Sequence, residues 1–138
     1  MTHTTDAELL RFDEPARILD GRPLAAEIRQ RVKRQVAAFR ARYGKPPELA
    51  AVMVGHQLAS SVYVQQILRS CALVGVPSRV VEMARSASAD ELRVAIERLN
   101  ADEDVAGIIV QQPLPRHIPL STVTDTILPA KDIDGIHP

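Results

Sequence analysis

The chain has 138 residues, with 17 basic and 17 acidic side chains, a formal net charge of zero and 46% hydrophobic residues. That length suits one compact domain, and the apolar share supports a packed core rather than wholesale disorder. Charge balance removes the electrostatic argument for nucleic acid or an anionic membrane surface, no run approaches the ~18 apolar residues of a membrane span, and the one cysteine, Cys71, excludes an internal disulfide framework and a cysteine-based metal cluster.

Met1 to Glu14 lacks the basic-then-apolar pattern of a secretory signal, so the expected setting is cytoplasmic. Residues 1–16 are polar, acidic and aperiodic and read as a flexible extension ahead of one domain over 17–138. There are 14 arginines and only 3 lysines, Lys33, Lys45 and Lys131, so the place of each lysine is worth following. After the stub Ile18-Leu19 and the break Asp20-Gly21-Arg22-Pro23, residues Leu24, Ile28, Val32, Val36 and Phe39 recur at helical spacing, with arginines opposite. Pro23 near the start and Gly44 past the end fit a helix, and Pro46-Pro47 forbids its continuation.

Leu49 to Val54 is an apolar run ending at Gly55, the pattern of a strand buried on both faces. A loop, His56 to Ala59, leads to Ser60-Ser61, either of which can cap the next helix. That helix carries Val64, Ile67, Leu68 and Cys71 on one side and stops at Val74-Gly75. Val76 to Val81 reads as a second strand. Ser88 and Glu91 form a capping box before a helix with Leu92, Ala95, Ile96 and Leu99 on its core face. Val105 to Gln111 reads as a third strand, Ser121 to Leu128 as a short helix, and Pro129 to Pro138 as a loop. The alternation predicts a three-layer α/β/α domain with a mostly parallel sheet. Ligands of such sheets sit beyond the carboxyl ends of the strands. Here these are Gly55-His56, the region after Val81, and Gln111-Gln112-Pro113.

The residues of those regions admit more than one role. Tyr63 is either an amphipathic tyrosine at the core edge or a flat surface on which a ring stacks, and Gln66 and Ile67 share its face. Gln111 and Gln112 end a buried strand and point to opposite faces, so at least one amide needs a partner in the interior or in a cleft. An ordinary role for Gln112 is to cap a backbone group in the Pro113-Leu114-Pro115 turn. Asp132 and Asp134 form either a solvated charged loop or a pair that holds a cationic or amide-bearing ligand. His3, His56, His117 and His137 show no metal-ligand spacing, and no metal is expected. Cys71 reads as a core thiol. There is no Gly-x-Gly-x-x-Gly and no phosphate loop, so no nucleotide is expected through those motifs.

Taken together, these segments resemble the N-terminal, folate-binding domain of the bifunctional methylenetetrahydrofolate dehydrogenase/methenyltetrahydrofolate cyclohydrolase family. The likeness runs from Ile18 to Pro138. Its pieces are Leu19-Asp20-Gly21, Val54-Gly55, Ala59-Ser60, Tyr63-Val64, Cys71 with Val74-Gly75, Leu99-Asn100, Gly107 to Gln111, Pro113-Leu114-Pro115, and Pro129 with Lys131 to Gly135. The resemblance implies that Tyr63 stacks on the folate ring system, that Gln111 stands where the family's glutamine contacts the catalytic lysine, and that Asp134 binds the pterin. It also implies that Val54, Gly55 and Ser60 line the same cleft. An acidic side chain suits the pterin because it accepts two of its hydrogens in a charge-assisted pair.

Two departures shape the expected function. The family's lysine comes four residues after the tyrosine, and here that position is Ile67. Arg69, about 200° further round the helix, cannot stand in, because guanidinium keeps its proton near neutrality. Ordinary cyclohydrolase activity, which needs proton transfer, is therefore not expected. The family also continues into a nucleotide-binding domain, and no NAD(P) site is expected within these 138 residues. The family's usual leucine after Gln111 is Gln112. The resemblance thus implies a tetrahydrofolate-binding domain acting on the one-carbon unit of 5,10-methylenetetrahydrofolate, by transfer to an amine-like acceptor or by release. The alternatives are a non-catalytic folate-binding module or partner subunit of a separate enzyme, and a structural role with a degenerate cleft. A homodimer or a partner enzyme is the expected company, with no nucleic acid and no membrane.

Overall fold

The computed structural model describes residues 19–55 and 58–138, without the side chains of residues 58–60. The expected extension, 1–16, lies outside these residues, as do His56 and Gln57. The first element is a long helix, α1 (Arg22–Tyr43), with Pro23 in its first turn. It ends where Gly44 takes φ 79° and donates its N–H to Arg40 O, a left-handed stop that glycine adopts without steric cost. Then come β1 (Glu48–Val54), α2 (Leu58–Val74), β2 (Ser78–Met83), α3 (Ala89–Ala101), β3 (Val105–Val110), the single turn α4 (Ser121–Thr124) and a 3₁₀ turn, Pro129–Lys131.

The three strands form one parallel sheet in the order β2-β1-β3. β1 is central and its residues alternate between two cores. Ala50, Val52 and Val54 face α3, packing with Leu92, Ile96, Leu99 and Ile108, while Ala51 and Met53 pack with Val64 of α2. Helices thus cover both faces, giving the three expected layers. This two-sided burial is why β1 reads as a continuous apolar run. The capping box at α3 is complete: Glu91 N–H donates to Ser88 Oγ at 3.1 Å, and Ser88 N–H donates to the Glu91 carboxylate at 2.7 Å. Those bonds hold the Glu91 carboxyl below its ordinary pKa.

Several expectations need correction. β2 begins at Ser78, not Val76, because Val76 N–H is used to close α2 on Cys71 O. β3 ends at Val110, one residue early, although Gln111 N–H still donates to Val52 O at 2.8 Å. Helix α2 begins at Leu58, so Ser60 and Ser61 lie within its first turn and neither is the cap. The helix expected over 121–128 is regular only for Ser121–Thr124, and Pro129–Lys131 of the expected loop is a 3₁₀ turn. The largest difference concerns α1. It buries no residue: Val32 and Val36 are half-buried, while Leu24, Ile28 and Phe39 stay exposed. α1 packs beside α2 outside the two cores, so only one shoulder of its apolar stripe is covered.

After β3 the chain returns along the free edge of that strand. Asp132 bridges in parallel to Ile108. The C-terminal end of α3 anchors this return. Asn100 Nδ2 donates to Thr126 O at 2.7 Å, and Leu128 N–H donates to Asn100 Oδ1 at 3.2 Å. Lys131 Nζ donates to Leu99 O and Asp102 O at 3.0 and 2.6 Å, satisfying carbonyls that a helix end leaves open.

Candidate functional site

The carboxyl ends of β1 and β3 and the loop after β2 enclose a pocket of about 240 Å³, lined by Val54, Gly55, Arg85, Pro113, Leu114, Pro115 and Arg116. Val54, Gly55 and Pro113 were anticipated from the sequence; Leu114, Pro115 and the two arginines were not assigned there. Gly55 is required by geometry: its φ is 76°, and a β-carbon there would meet Arg85 Cβ at 3.1 Å. The Gln112-Pro113 peptide is cis.

Gln111 and Gln112 lead into this turn. Gln111 is half-buried and its Nε2 donates to Gln112 O at 2.6 Å, which leaves its Oε1 as an acceptor. Gln112, expected to cap the Pro113-Leu114-Pro115 turn, is exposed and makes no side-chain hydrogen bond to that turn among the described residues, while Gln111 bonds the backbone just ahead of it. The reason is the strand pleat, which turns adjacent side chains to opposite faces. On α2, Val64 faces the sheet and is buried, Ile67 is half-buried, and Tyr63 and Gln66 are exposed. Tyr63 is 58% exposed. That exposure leaves an open ring face one helical turn from Ile67. Tyr63, Gln66 and Ile67 are not among the lining residues of the small pocket. Ser60 lies in the first turn of α2, and its side chain is outside the described residues.

The two aspartates have separate tasks. Asp132 accepts from Gly135 N–H at 3.0 Å and from His137 N–H at 2.8 Å, which folds the loop. Asp134 carries no hydrogen bond to a described residue. Desolvation, and then the negative charge of Asp132, raise its carboxyl above the ordinary aspartate pKa. The parallel bridge at Ile108 directs the following residues toward the carboxyl end of β3, where Gln111 lies. Cys71 is half-buried, not fully in the core, and burial pushes its thiol pKa up, which makes it a poor nucleophile. Among the described residues no group of three or more His, Cys, Asp or Glu is placed to hold a metal ion. No helix among them is long and apolar enough to cross a membrane.

None of the three lysines takes the place of Ile67. Lys45 pairs with Asp104, Lys131 is committed to the α3 carbonyls, and Lys33 lies exposed on α1.

Comparison with known proteins follows this geometry. The family model described as tetrahydrofolate dehydrogenase/cyclohydrolase, catalytic domain, matches residues 19–134. The chain belongs to the tetrahydrofolate dehydrogenase/cyclohydrolase family. It is 45% identical over 121 residues to the bifunctional protein FolD of Chlorobium phaeobacteroides strain BS1, covering 88% of this chain and 41% of that protein. FolD of Aquifex aeolicus is 41% identical over 123 residues, covering 89% and 42%. Among solved structures, the bifunctional FolD of Campylobacter jejuni superposes with a TM-score of 0.83 at 36% identity, covering 87% of this chain and 42% of that one. The 5,10-methylenetetrahydrofolate dehydrogenase of the silkworm, Bombyx mori, gives 0.84 at 36% identity, covering 89% and 42%. The chain thus spans about two fifths of the length of the curated relatives it matches.

The charged residues of the pocket lining that sequence reasoning did not assign are Arg85 and Arg116. The strand-end rule pointed to the region after β2 and to the Pro-Leu-Pro turn. Within a chain of 14 arginines, nothing in the sequence marks these two.

Proposed function

We propose that this tetrahydrofolate dehydrogenase/cyclohydrolase-family chain binds tetrahydrofolate and acts on the one-carbon unit of 5,10-methylenetetrahydrofolate, by transfer to an amine-like acceptor or by release, without ordinary cyclohydrolase activity. One observation carries this reading: a hydrocarbon, Ile67, stands one turn from the exposed Tyr63 ring, and every lysine in the chain is elsewhere. The binding side chains fit a folate. Tyr63 offers its face to the ring system, Asp134 offers a carboxylate to the hydrogen-bond donors of the pterin, and Gln111 Oε1 is free to accept from the acceptor amine or a water. With no proton-transfer group at position 67, acceleration rests on holding the reactive bridge carbon beside a nucleophile in the right orientation. Ile67 keeps that carbon dry.

A second reading follows from the same observation, since a site with no proton-transfer group at position 67 can bind without turnover. In it the domain binds folate without turnover and serves as a carrier or as a partner subunit of a separate enzyme. Calorimetric titration with tetrahydrofolate and with 5,10-methylenetetrahydrofolate, followed by product analysis of the same samples, separates the readings. Micromolar binding with catalytic turnover supports the enzyme, and micromolar binding without turnover toward any amine acceptor supports the module. No binding at millimolar ligand sinks both.

A further inference from the structure

We infer that the pocket between Arg85 and Arg116 is an oxyanion subsite, built to take a carboxylate or a phosphate beside the proposed folate cleft. Both arginines line the same cavity of about 240 Å³, and no acidic residue is among its described lining residues. Neither guanidinium is tied to a described residue by a hydrogen bond or ion pair. Three other arginines are ion-paired, Arg22 with Asp20, Arg79 with Glu48 and Asp102, and Arg93 with Asp90 and Glu97; what sets Arg85 and Arg116 apart from the remaining arginines is the cavity they share. Two exposed arginines on the lining of one cavity offer guanidinium donors that a single anion can share.

The loops that carry the pair are fixed in place before any ligand arrives. His117 Nε2–H donates to Ala87 O at 2.8 Å, stitching the Arg116 loop to the Arg85 loop. Ala87 and Ile118 are buried in the main core, and Ala87 N–H and Ile118 N–H close tight turns on Ala84 O and Pro115 O. The stem of Arg85 lies against Gly55, whose missing side chain makes the room. Pro113 and Pro115 form the remaining wall. Preorganisation of this kind lowers the ordering cost of capturing a small anion. The size agrees: pockets that enclose a drug-sized ligand run from about 300 Å³ upward, so this one suits a terminal group rather than a whole pteridine.

Two sources supply such a group. One is the glutamyl carboxylates at the far end of a folate; in that form the inference rests on the folate reading. The other is a separate anion, such as the carboxylate or phosphate of a one-carbon acceptor. The test uses the full 138-residue chain, Arg85→Gln and Arg116→Gln, the glutamine at 85 retaining an aliphatic stem against Gly55. Inorganic phosphate, glutarate, tetrahydropteroate, and mono- and triglutamyl tetrahydrofolate are each titrated by calorimetry. If the tail is the source, the triglutamyl form binds at least tenfold tighter than tetrahydropteroate, and each variant loses that gain while still binding tetrahydropteroate. If a separate anion is the source, phosphate or glutarate binds the parent chain at least fivefold tighter than either variant and is not displaced by triglutamyl folate. Either result supports the subsite. Binding of every probe unchanged in both variants, or no binding of phosphate, glutarate or tail, overturns it. Failure of tetrahydropteroate alone to bind counts against the folate reading and leaves the anion arm to be read separately.

Discussion

On the proposed function, Ile67 and Asp134 carry the sharpest tests at the scale of single residues. Ile67→Lys places an ammonium one turn below Tyr63, on a half-buried face where desolvation lowers a lysine's pKa toward neutrality. We expect measurable hydrolysis of 5,10-methenyltetrahydrofolate from this variant and none above background from the parent. A spectrophotometric assay that finds both equally inactive would show that the cleft differs by more than one residue. Asp134 makes an opposite demand on stability and binding. Its folded pKa is raised, so its favourable contribution to stability is fully present below the ordinary value of 3.8 and is lost as pH rises through the raised one. The same ionised carboxylate is what a pterin needs. Asp134→Asn is therefore expected to raise Tm at pH 7 while weakening tetrahydrofolate binding tenfold or more. In the parent, affinity should fall on acidification with a midpoint above 3.8, and Asp134→Asn should flatten that profile. Tyr63, Gln111 and Asp134 stood out as candidates because they sit in motif-like strings. Arg85 did not stand out, because only folding brings it to the same cavity as Arg116.

Elements announce themselves in sequence to the extent that local chemistry fixes them. β1, the capping box of α3 and the glycine stops of α1 and α2 were readable, since each depends on residues within one turn or strand. The start of β2 was misplaced by two residues because the helix-closing bond of Val76 is a geometric event with no residue signature. The final segment, Pro129 to Pro138, was read only as a loop. Its place depends on distant anchors, Asn100 and Lys131, and on Gly107 lying beneath it. A β-carbon at Gly107 would lie 2.8 Å from Ile133 Cγ2, so Gly107→Ala must push Ile133 outward and carry Asp134 with it. We expect a loss of about 1–3 kcal/mol, the usual cost of overpacking, together with several-fold weaker folate binding. Gly21→Ala is the control, since nothing lies within 4 Å of that added carbon. Urea unfolding and calorimetry on the pair test this, and equal behaviour of the two variants would contradict it.

At the scale of the whole molecule, zero net charge conceals an uneven surface. α1 carries seven basic residues and one acidic residue, so the balancing negative charge lies elsewhere on the chain. Its amphipathic spacing announced a buried stripe, yet periodicity shows only that a face is apolar, not that anything covers it. Leu24 is 60% exposed and Phe39 38%, whereas Ile96 on α3 is fully buried. Stability should therefore reside in the sheet with α2 and α3. Ile96→Ala is expected to cost about 2–5 kcal/mol, as a buried isoleucine truncation does, and Leu24→Ser or Phe39→Ser less than about 1 kcal/mol each. Urea unfolding at two protein concentrations checks both magnitudes. If Phe39→Ser proved as costly as Ile96→Ala only at the higher concentration, a second copy would have to be covering α1. That outcome is disfavoured by the charges, because two helices of the same strong positive sign would then have to lie together. A concentration-independent hierarchy, with Ile96 far above Leu24 and Phe39, follows if the open shoulder of α1 faces solvent.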